Sequence, residues 1–209
     1  YFLRSAISFA AIAMSEYSIA SGDQRYAHKA LDIFKLILKY IHTPGLLEPK
    51  YNENFQARGH SLCMILINTA SCIRRAIQDD ILNHQIDESI DHIARYFMKP
   101  EFEALLEMVG PNGEFIDTNA GRTINPGHCI ETSWFILEEA KFRNWDPKLV
   151  EMAETILNWS WKWGWDEEFG GIINFRDCKN LPSQDYAQDM KFWWPQTETI
   201  IATLYAYLA

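Results

Sequence analysis

Apolar residues recur every three or four positions along most of the chain, which is the spacing of one face of an α-helix. In the stretch 24–42, for example, these positions hold Tyr26, Ala30, Phe34 and Ile37. Asp23 lies just before this stretch and is a residue type that commonly caps a helix N-terminus. The pattern predicts about seven substantial helices, over 2–20, 24–42, about 58–78, about 84–98, about 127–143, 147–163, and from near Met190 or Pro195 onward.

Long loops follow every second predicted helix, at 43–57, 110–126 and 164–188. Helices joined by short links tend to be antiparallel neighbours, so the alternation predicts helical hairpins stacked side by side with one loop-rich end. Within the loops we expect a turn or two of helix near 101–108, a short strand at 114–117 and a β-hairpin within 164–177. The predicted fold class is all-α, in a single domain over 1–209.

Charge and composition restrict the function. The chain of 209 residues carries 19 Lys and Arg against 28 Asp and Glu, a net charge of −9. No basic patch is dense enough to neutralise a phosphate backbone, which argues against a nucleic-acid partner. No apolar run approaches the ~18 residues of a membrane span, so we expect no membrane partner.

The four cysteines, at 63, 72, 129 and 178, lack paired spacing and favour reduced thiols in the cytoplasm. Although Ala11-Ile12-Ala13 resembles a signal-peptide cleavage site, the helical pattern continues smoothly beyond it, which favours a helix. The first and last predicted helices have no caps, and the first residue is Tyr1. We therefore expect residues 1–209 to be part of a larger domain.

The densest group of polar residues runs from Gly121 to Glu131, through a loop and into a helix. His128 and Glu131 are three residues apart, so they lie on the same face of that helix. A carboxylate beside an imidazole raises its pKa and suits a base that works near neutral pH. Spacing alone leaves open a second interpretation, in which the two residues only cap a surface helix.

Tryptophans are the second unusual feature. Eight are present, and Trp134, Trp145, Trp159, Trp161 and Trp163 lie close together in the sequence. Flat indole rings stack on the C–H faces of pyranoses, so the cluster is typical of a sugar-binding cleft, although core packing is an alternative. Indoles also accompany carboxylates and amides in the segments 163–171 and 189–198.

Beyond these groups, the sequence contains few further candidates for catalytic or ligand-binding residues. His60 begins a helix just after Arg58 and Gly59, at the same kind of loop-to-helix boundary as His128, whereas the other histidines are interpreted as surface residues. No His pair has the spacing of a metal site, and no glycine-rich phosphate loop or serine-hydrolase elbow is present.

Three blocks resemble the sequence motifs of the N-acylglucosamine 2-epimerases (renin-binding proteins), relatives of the cellobiose 2-epimerases. They are Gly121-Arg122-x-x-Asn125-Pro126-Gly127-His128-x-x-Glu131-x-x-Trp134-Phe135, Gly164-Trp165-Asp166-x-x-x-Gly170-Gly171 and Met190-Lys191-x-Trp193-Trp194-Pro195-x-x-Glu198. The resemblance implies an (α/α)6 barrel of twelve helices in two rings, of which this chain would supply about seven.

The resemblance also implies a reaction. The family interconverts N-acetyl-D-glucosamine and N-acetyl-D-mannosamine by removing the C2 proton of the open-chain sugar and returning it through an enediolate. No metal or redox cofactor is required, a nucleotide regulator is left open, and a homodimer is one expected assembly. His128 matches one of two catalytic histidines, the other lying in a later block, and Glu131 matches the carboxylate that orients it.

The remaining site residues follow from the same resemblance. His60 and Arg58 are expected to contact substrate, and Trp134, Trp193 and Trp194 are expected to line the cleft. Gln196 stands where many N-acylglucosamine 2-epimerases have His, and Gln there resembles the cellobiose 2-epimerases and sugar isomerases. The alternatives are therefore a 2-epimerase or aldose–ketose isomerase of an unmodified sugar or disaccharide, and a non-catalytic sugar-binding module.

Overall fold

The computed structural model describes residues 2–43, 45–46, 56–183 and 185–209, and most of them are helical. Its helices are α1 (Phe2–Ser21), α2 (Gln24–His42), α3 (His60–Ala76), α4 (Asp80–His92), α5 (Asn119–Arg122), α6 (Pro126–Phe142), α7 (Pro147–Gly164) and α8 (Trp193–Leu208). Apart from the single turn α5, these are the seven predicted helices. The all-α prediction is therefore confirmed.

Helix ends differ from the prediction where short-range polar contacts intervene. The fourth helix was predicted from 84 but begins at Asp80, because the Asp79 side chain accepts a hydrogen bond from the Ile81 main-chain N–H at 3.1 Å. It ends in a single π turn over Ile93–Phe97. The cap predicted at Asp23 is confirmed, since its carboxylate accepts a hydrogen bond from the main-chain N–H of Arg25 at 3.0 Å.

The chain divides into two compact units, which are Tyr1–Gln56 with Ile65–Asp91 and Ala57–Met64 with His92–Ala209. In the first unit, α1 packs against α2. The buried face of α2 is apolar at the predicted helical spacing and consists of Ala27, Ala30, Leu31, Phe34, Ile37 and Leu38. This face follows directly from the sequence pattern. The prediction of a single domain stays a prediction.

The second unit is built around α6, which packs against both α7 and α8. Helix α6 is buried on most of its surface, as expected for a helix with apolar residues on several faces. A core cluster joins the three helices to the loop after α7 through Ile130, Leu157, Ile172 and Ala202. This packing fixes the first turn of α6, which carries His128.

Three antiparallel pairs of two-residue strands tie the loops of the second unit together. Strand β1 (Arg58–Gly59) pairs with β4 (Met108–Val109), β2 (Met98–Lys99) with β3 (Ala104–Leu105), and β5 (Thr123–Ile124) with β6 (Arg176–Asp177). The helical turns expected near 101–108 are limited to a 3-10 turn at Pro100–Phe102. The rest of that segment contains β3 and the start of β4, with Glu103 in a left-handed turn before β3.

Two expectations for the loops need correction. The strand predicted at 114–117 is absent, because the chain closes a turn in which Gly110 N–H donates to the Glu114 carbonyl at 2.8 Å. In the hairpin predicted within 164–177, only Trp165 and Ile172 form an antiparallel bridge. Residues 176 and 177 pair instead with β5, so the hairpin is open at its far end.

The entry into α6 is determined by four consecutive residues. The Asn125 side chain caps the helix by accepting a hydrogen bond from the His128 main-chain N–H at 3.1 Å, and Pro126 occupies the first helical position. A Cβ atom at Gly127 would lie 2.5 Å from the indole carbon Cη2 of Trp194. Glycine is therefore needed there for the indole to approach the helix.

We expect Asn125→Ala to lower the free energy of unfolding by about 1 kcal/mol, because it removes the acceptor of the His128 main-chain N–H at a helix N-terminus. Asn125→Ser, which keeps a side-chain oxygen there, should retain most of the stability. Urea unfolding of the full-length protein, followed by circular dichroism, measures both variants. Equal midpoints for Ala and Ser would contradict the assignment of Asn125 as the cap.

Candidate active site

His128 lies in the first turn of α6 with 29% of its side chain exposed. Its Nδ1 atom is 3.0 Å from Oε1 of Glu107, and its ring centroid is 5.4 Å from that of Trp194. Because an ionised carboxylate can only accept hydrogen bonds, Nδ1 carries the proton in this contact. In the neutral imidazole, Nε2 is then the unprotonated, basic nitrogen.

Glu107 is the charged partner in this contact. Burial alone would raise the pKa of Glu107, but the charge and hydrogen bond of His128, with a smaller contribution from His60, outweigh burial, and the net pKa lies well below its usual value. The main chain of Glu107 is held on both sides. His60 N–H donates to the Glu107 carbonyl at 3.0 Å, and Glu107 N–H donates to the Thr123 carbonyl at 3.1 Å.

The same contact sets the basicity of His128. Burial alone would lower the pKa of the imidazole, but the charge and hydrogen bond of Glu107 outweigh it, with a smaller contribution from the charge of Glu131. The net pKa of His128 is raised above its ordinary value. An imidazolium formed at this position is therefore stabilised, as a general base requires.

Glu131 has a different role from the predicted one. It lies on the same helix face as His128, but the hydrogen-bond partner of the imidazole is Glu107. The expectation that Glu131 orients His128 is corrected accordingly. Burial, together with the charges of Glu198 and Glu107, raises the pKa of Glu131 to about 7 against the opposing effect of His128. Glu131 is therefore a carboxyl group that can hold a proton at neutral pH.

His60 is fully buried, with none of its surface exposed. Its Nε2 atom lies 3.0 Å from the hydroxyl oxygen of Thr132, and its Nδ1 atom lies 3.6 Å from Oε1 of Glu107. The prediction that His60 contacts substrate at the mouth of the cleft is corrected, because the structure places it behind Glu107. Arg58 is exposed; its guanidinium lies 4.7 Å from the Tyr96 ring centroid and donates to the Pro111 carbonyl.

The three predicted cleft tryptophans have different surroundings. Trp194 packs against His128 and Gly127, and Trp193 is 78% exposed. Trp134 instead packs against the core cluster, and its Nε1 donates to Oε2 of Glu198 at 2.6 Å. Burial raises the pKa of Glu198, with this hydrogen bond opposing the shift. Trp134 therefore joins α6 to α8, while Trp194 offers aromatic surface near His128.

The Gln196 amide is occupied by main-chain groups. Its Oε1 accepts from the Ile172 N–H at 2.8 Å, while its Nε2 donates to the carbonyls of Ile172 at 2.8 Å and Phe192 at 3.1 Å. These bonds fasten α8 to the loop after α7. Both Nε2 protons and one lone pair of Oε1 thus have protein partners, and the prediction that Gln196 binds substrate stays a prediction.

The first motif block is anchored by Arg122, whose guanidinium donates to Asp177 at 2.7 Å and to Asp117 at 3.0 Å. The main chains of Arg122 and Cys178 are also joined, by a hydrogen bond of 2.9 Å. The second and third blocks are joined by Lys191, which donates to Asp166 at 2.5 Å. The motif residues around the site are therefore largely the residues that hold its loops in place.

Sequence reasoning missed Glu107 and Thr132. The only local signal for Glu107 is a carboxylate inside the apolar run Ala104–Val109, which is unusual for a buried segment. Cys129, next to His128 in the sequence, is buried, with its Sγ 3.4 Å from the Leu105 carbonyl. Burial, with the nearby charge of Glu107, raises the pKa of this thiol well above its ordinary value.

Metal-ligating side chains are not clustered in the part of the chain that the structure describes. Within it, no three His, Cys, Asp or Glu side chains are grouped so that they could hold a metal ion. Within the same residues, no helix has both the length and the apolar character needed to cross a bilayer.

Solved structures show the same fold. A cellobiose 2-epimerase from Bacillus thermoamylovorans B4167 matches with a TM-score of 0.80 at 20% identity, over 98% of this chain and 54% of its own. A sugar epimerase from a ruminal bacterium matches with a TM-score of 0.79 at 18% identity, over the same shares of the two chains. These likenesses confirm the predicted fold class, in which the chain is a portion of an (α/α)6 barrel.

Relatives that match in sequence are also epimerases. The human N-acylglucosamine 2-epimerase is 30% identical over 205 residues, which are 95% of this chain and 47% of that protein. The chain thus spans about half the length of the curated relatives it matches. The sequence model for N-acylglucosamine 2-epimerase (GlcNAc 2-epimerase) matches residues 5–209. This chain therefore belongs to the N-acylglucosamine 2-epimerase family.

Proposed function

We propose that the protein is a sugar 2-epimerase that interconverts N-acetyl-D-glucosamine and N-acetyl-D-mannosamine, with His128 as one of its acid–base residues. The observation that carries this proposal is the partly exposed His128 imidazole bound through Nδ1 to the largely buried carboxylate of Glu107. That arrangement leaves a single basic nitrogen, Nε2, on a residue with exposed surface. It supports proton abstraction more directly than it supports helix capping.

The chemistry follows from the open-chain sugar. Its C1 aldehyde acidifies the C2 proton, so a base of ordinary strength suffices if it is well positioned. Nε2 of His128 takes the proton, the C–H electron pair moves into the enediolate, and Glu107 stabilises the imidazolium that forms. Return of a proton to the opposite face gives the epimer. The family resemblance assigns that step to a second histidine in a later block of the motif pattern.

Glu131 complements the base. With a pKa of about 7, a fraction of Glu131 is protonated at neutral pH and can donate to an oxygen of the reacting sugar. Trp194 supplies flat apolar surface beside His128 on which a sugar face can stack, and the neighbouring Trp193 is largely exposed. Base, acid and stacking surface thus come from the first turns of α6 and α8.

We expect His128→Asn to reduce C2 proton exchange by about 10²–10⁴-fold, the usual contribution of a positioned acid–base group. The measurement is deuterium incorporation at C2 of N-acetyl-D-glucosamine in D2O, followed by NMR with the full-length protein. The matched control is His84→Asn, which changes an exposed histidine on α4. Exchange at the wild-type rate in the His128 variant would rule out its role as a base.

We expect Glu107→Gln to move the acidic limb of the pH–rate profile to lower pH. His128 is a base only when neutral, so the rate rises with pH through its pKa, and the loss of the Glu107 charge lowers that pKa. Each unit of pKa lost weakens stabilisation of the imidazolium about tenfold, so the plateau rate should fall as well.

The control for this variant is Glu151→Gln, because Glu151 is an exposed carboxylate on α7. Its profile should match that of the wild type. A limb that stays in place or moves to higher pH in the Glu107 variant would show that Glu107 does not set the basicity of His128.

The substrate is tested by a sugar panel. The curated relatives are named N-acylglucosamine 2-epimerases, which supports an N-acyl substrate. We expect epimerisation of N-acetyl-D-glucosamine to exceed that of glucose, mannose and cellobiose when products are followed by NMR. Preference for an unmodified sugar would favour the 2-epimerase or isomerase alternative. Binding without C2 exchange for every sugar would favour the non-catalytic module.

A further inference from the structure

A closed ring of contacts links His128, Glu107, His60 and Thr132. Its Nδ1 atom meets Oε1 of Glu107 at 3.0 Å, and the same oxygen lies 3.6 Å from Nδ1 of His60. The other nitrogen of His60 lies 3.0 Å from the Thr132 hydroxyl, which donates to the His128 main-chain carbonyl at 2.8 Å. The ring starts at the side chain of His128 and returns to its main chain.

The ring determines where the protons lie. The Thr132 hydroxyl has one proton, and the contact with the His128 carbonyl uses it because a carbonyl oxygen can only accept. The same hydroxyl must therefore accept from His60, which places a proton on Nε2 of His60. In the neutral ring, Nδ1 of His60 is then an unprotonated, fully buried nitrogen that has no hydrogen bond and faces Glu107.

This arrangement reserves Glu107 for His128. If His60 carried its proton on Nδ1 instead, that N–H would point at Oε1 of Glu107. The oxygen would then accept from two imidazoles, and its hydrogen bond from His128 would compete with the one from His60. The Thr132 hydroxyl prevents the competition by holding the His60 proton on the opposite side of the ring. Neither His60 nor Thr132 has exposed surface, so neither can reach a sugar.

We propose that His60 and Thr132 are positioning residues, which hold the Glu107 carboxylate available to Nδ1 of His128 and thereby keep Nε2 of His128 as the basic atom. The consequence for catalysis rests on the proposed function, but the proton positions do not. The charged groups that bear on the titration of His128 are Glu107 from the β3–β4 segment and Glu131 on α6. His60 from α3 acts through Glu107. Glu198 on α8 acts through Glu131.

The first test requires no variant. In full-length protein labelled with 15N-histidine, the imidazole nitrogen shifts report which nitrogen of each ring carries the proton. We expect the Nε2–H form for neutral His60 and the Nδ1–H form for neutral His128. A neutral His60 with its proton on Nδ1 would overturn the proposal, whether or not the protein epimerises any sugar.

The second test removes the hydroxyl with Thr132→Val, which has nearly the same shape. His60 then lacks an acceptor for Nε2–H, so its proton should move to Nδ1 and share Glu107. The titration midpoint of His128 should fall, and C2 exchange should lose kcat, about tenfold per unit of midpoint, while KM stays nearly constant. Thr132→Ser, which restores a hydroxyl, should recover the wild-type His60 proton position and His128 midpoint.

The matched control is Thr155→Val on α7. Thr155 also donates its hydroxyl to the carbonyl four residues earlier, at 2.8 Å, but it is remote from the imidazoles in sequence and is partly exposed. Its replacement should leave both histidines unchanged. An unchanged His60 proton position and His128 midpoint in folded Thr132→Val would overturn the proposal. Expected proton positions in a wild-type protein without C2 exchange would support the ring and count against the proposed function.

Discussion

The candidate site depends on one buried negative charge. Glu107 has lost most of its hydration, and it stays ionised only because His128 and His60 face it. In return, it fixes the proton of His128 on Nδ1 and raises the basicity of the ring. Removing either partner of such a pair would leave an uncompensated charge or a histidine without orientation. The proposed role of His128 as a base therefore depends on Glu107 more than on its own helix.

The surrounding main chain fixes the position of the Glu107 carboxylate. Glu107 lies between two short strands, and its main-chain N–H and carbonyl are bonded to the segments that begin at Thr123 and at His60. Two-residue strands contribute little stability themselves, but each one fixes the register of a loop against its neighbour. On the other side, α6 is held by its Asn125 cap and by packing against α7 and α8. The carboxylate and the imidazole thus approach each other from two anchored segments, which the bond between Glu107 and Thr123 also joins to each other.

The sequence predicted the helices and the motif blocks because both are local patterns. Helical spacing identified the buried face of α2, and the His128 block marked the start of α6. Partners distant in sequence were missed, since Glu107 is 21 residues from His128 and Thr132 is 72 residues from His60. The residue visible at helical spacing, Glu131, was therefore given the orienting role that belongs to Glu107. The main-chain partner of Gln196 was missed for a similar reason, because Ile172 lies in the loop after α7.

The two carboxylates near His128 have unlike environments. Glu107 and Glu131 both lie near His128, yet their surroundings drive their pKa values in opposite directions. Glu107 faces two imidazoles and stays ionised, whereas Glu131 is buried beside Glu198 and holds its proton up to about pH 7. One carboxylate can therefore stabilise a cation while the other donates a proton under the same conditions. A reaction that moves a proton from carbon and builds charge on an adjacent oxygen needs both functions at once. This pair of unlike environments therefore favours the proposed epimerisation over simple sugar binding.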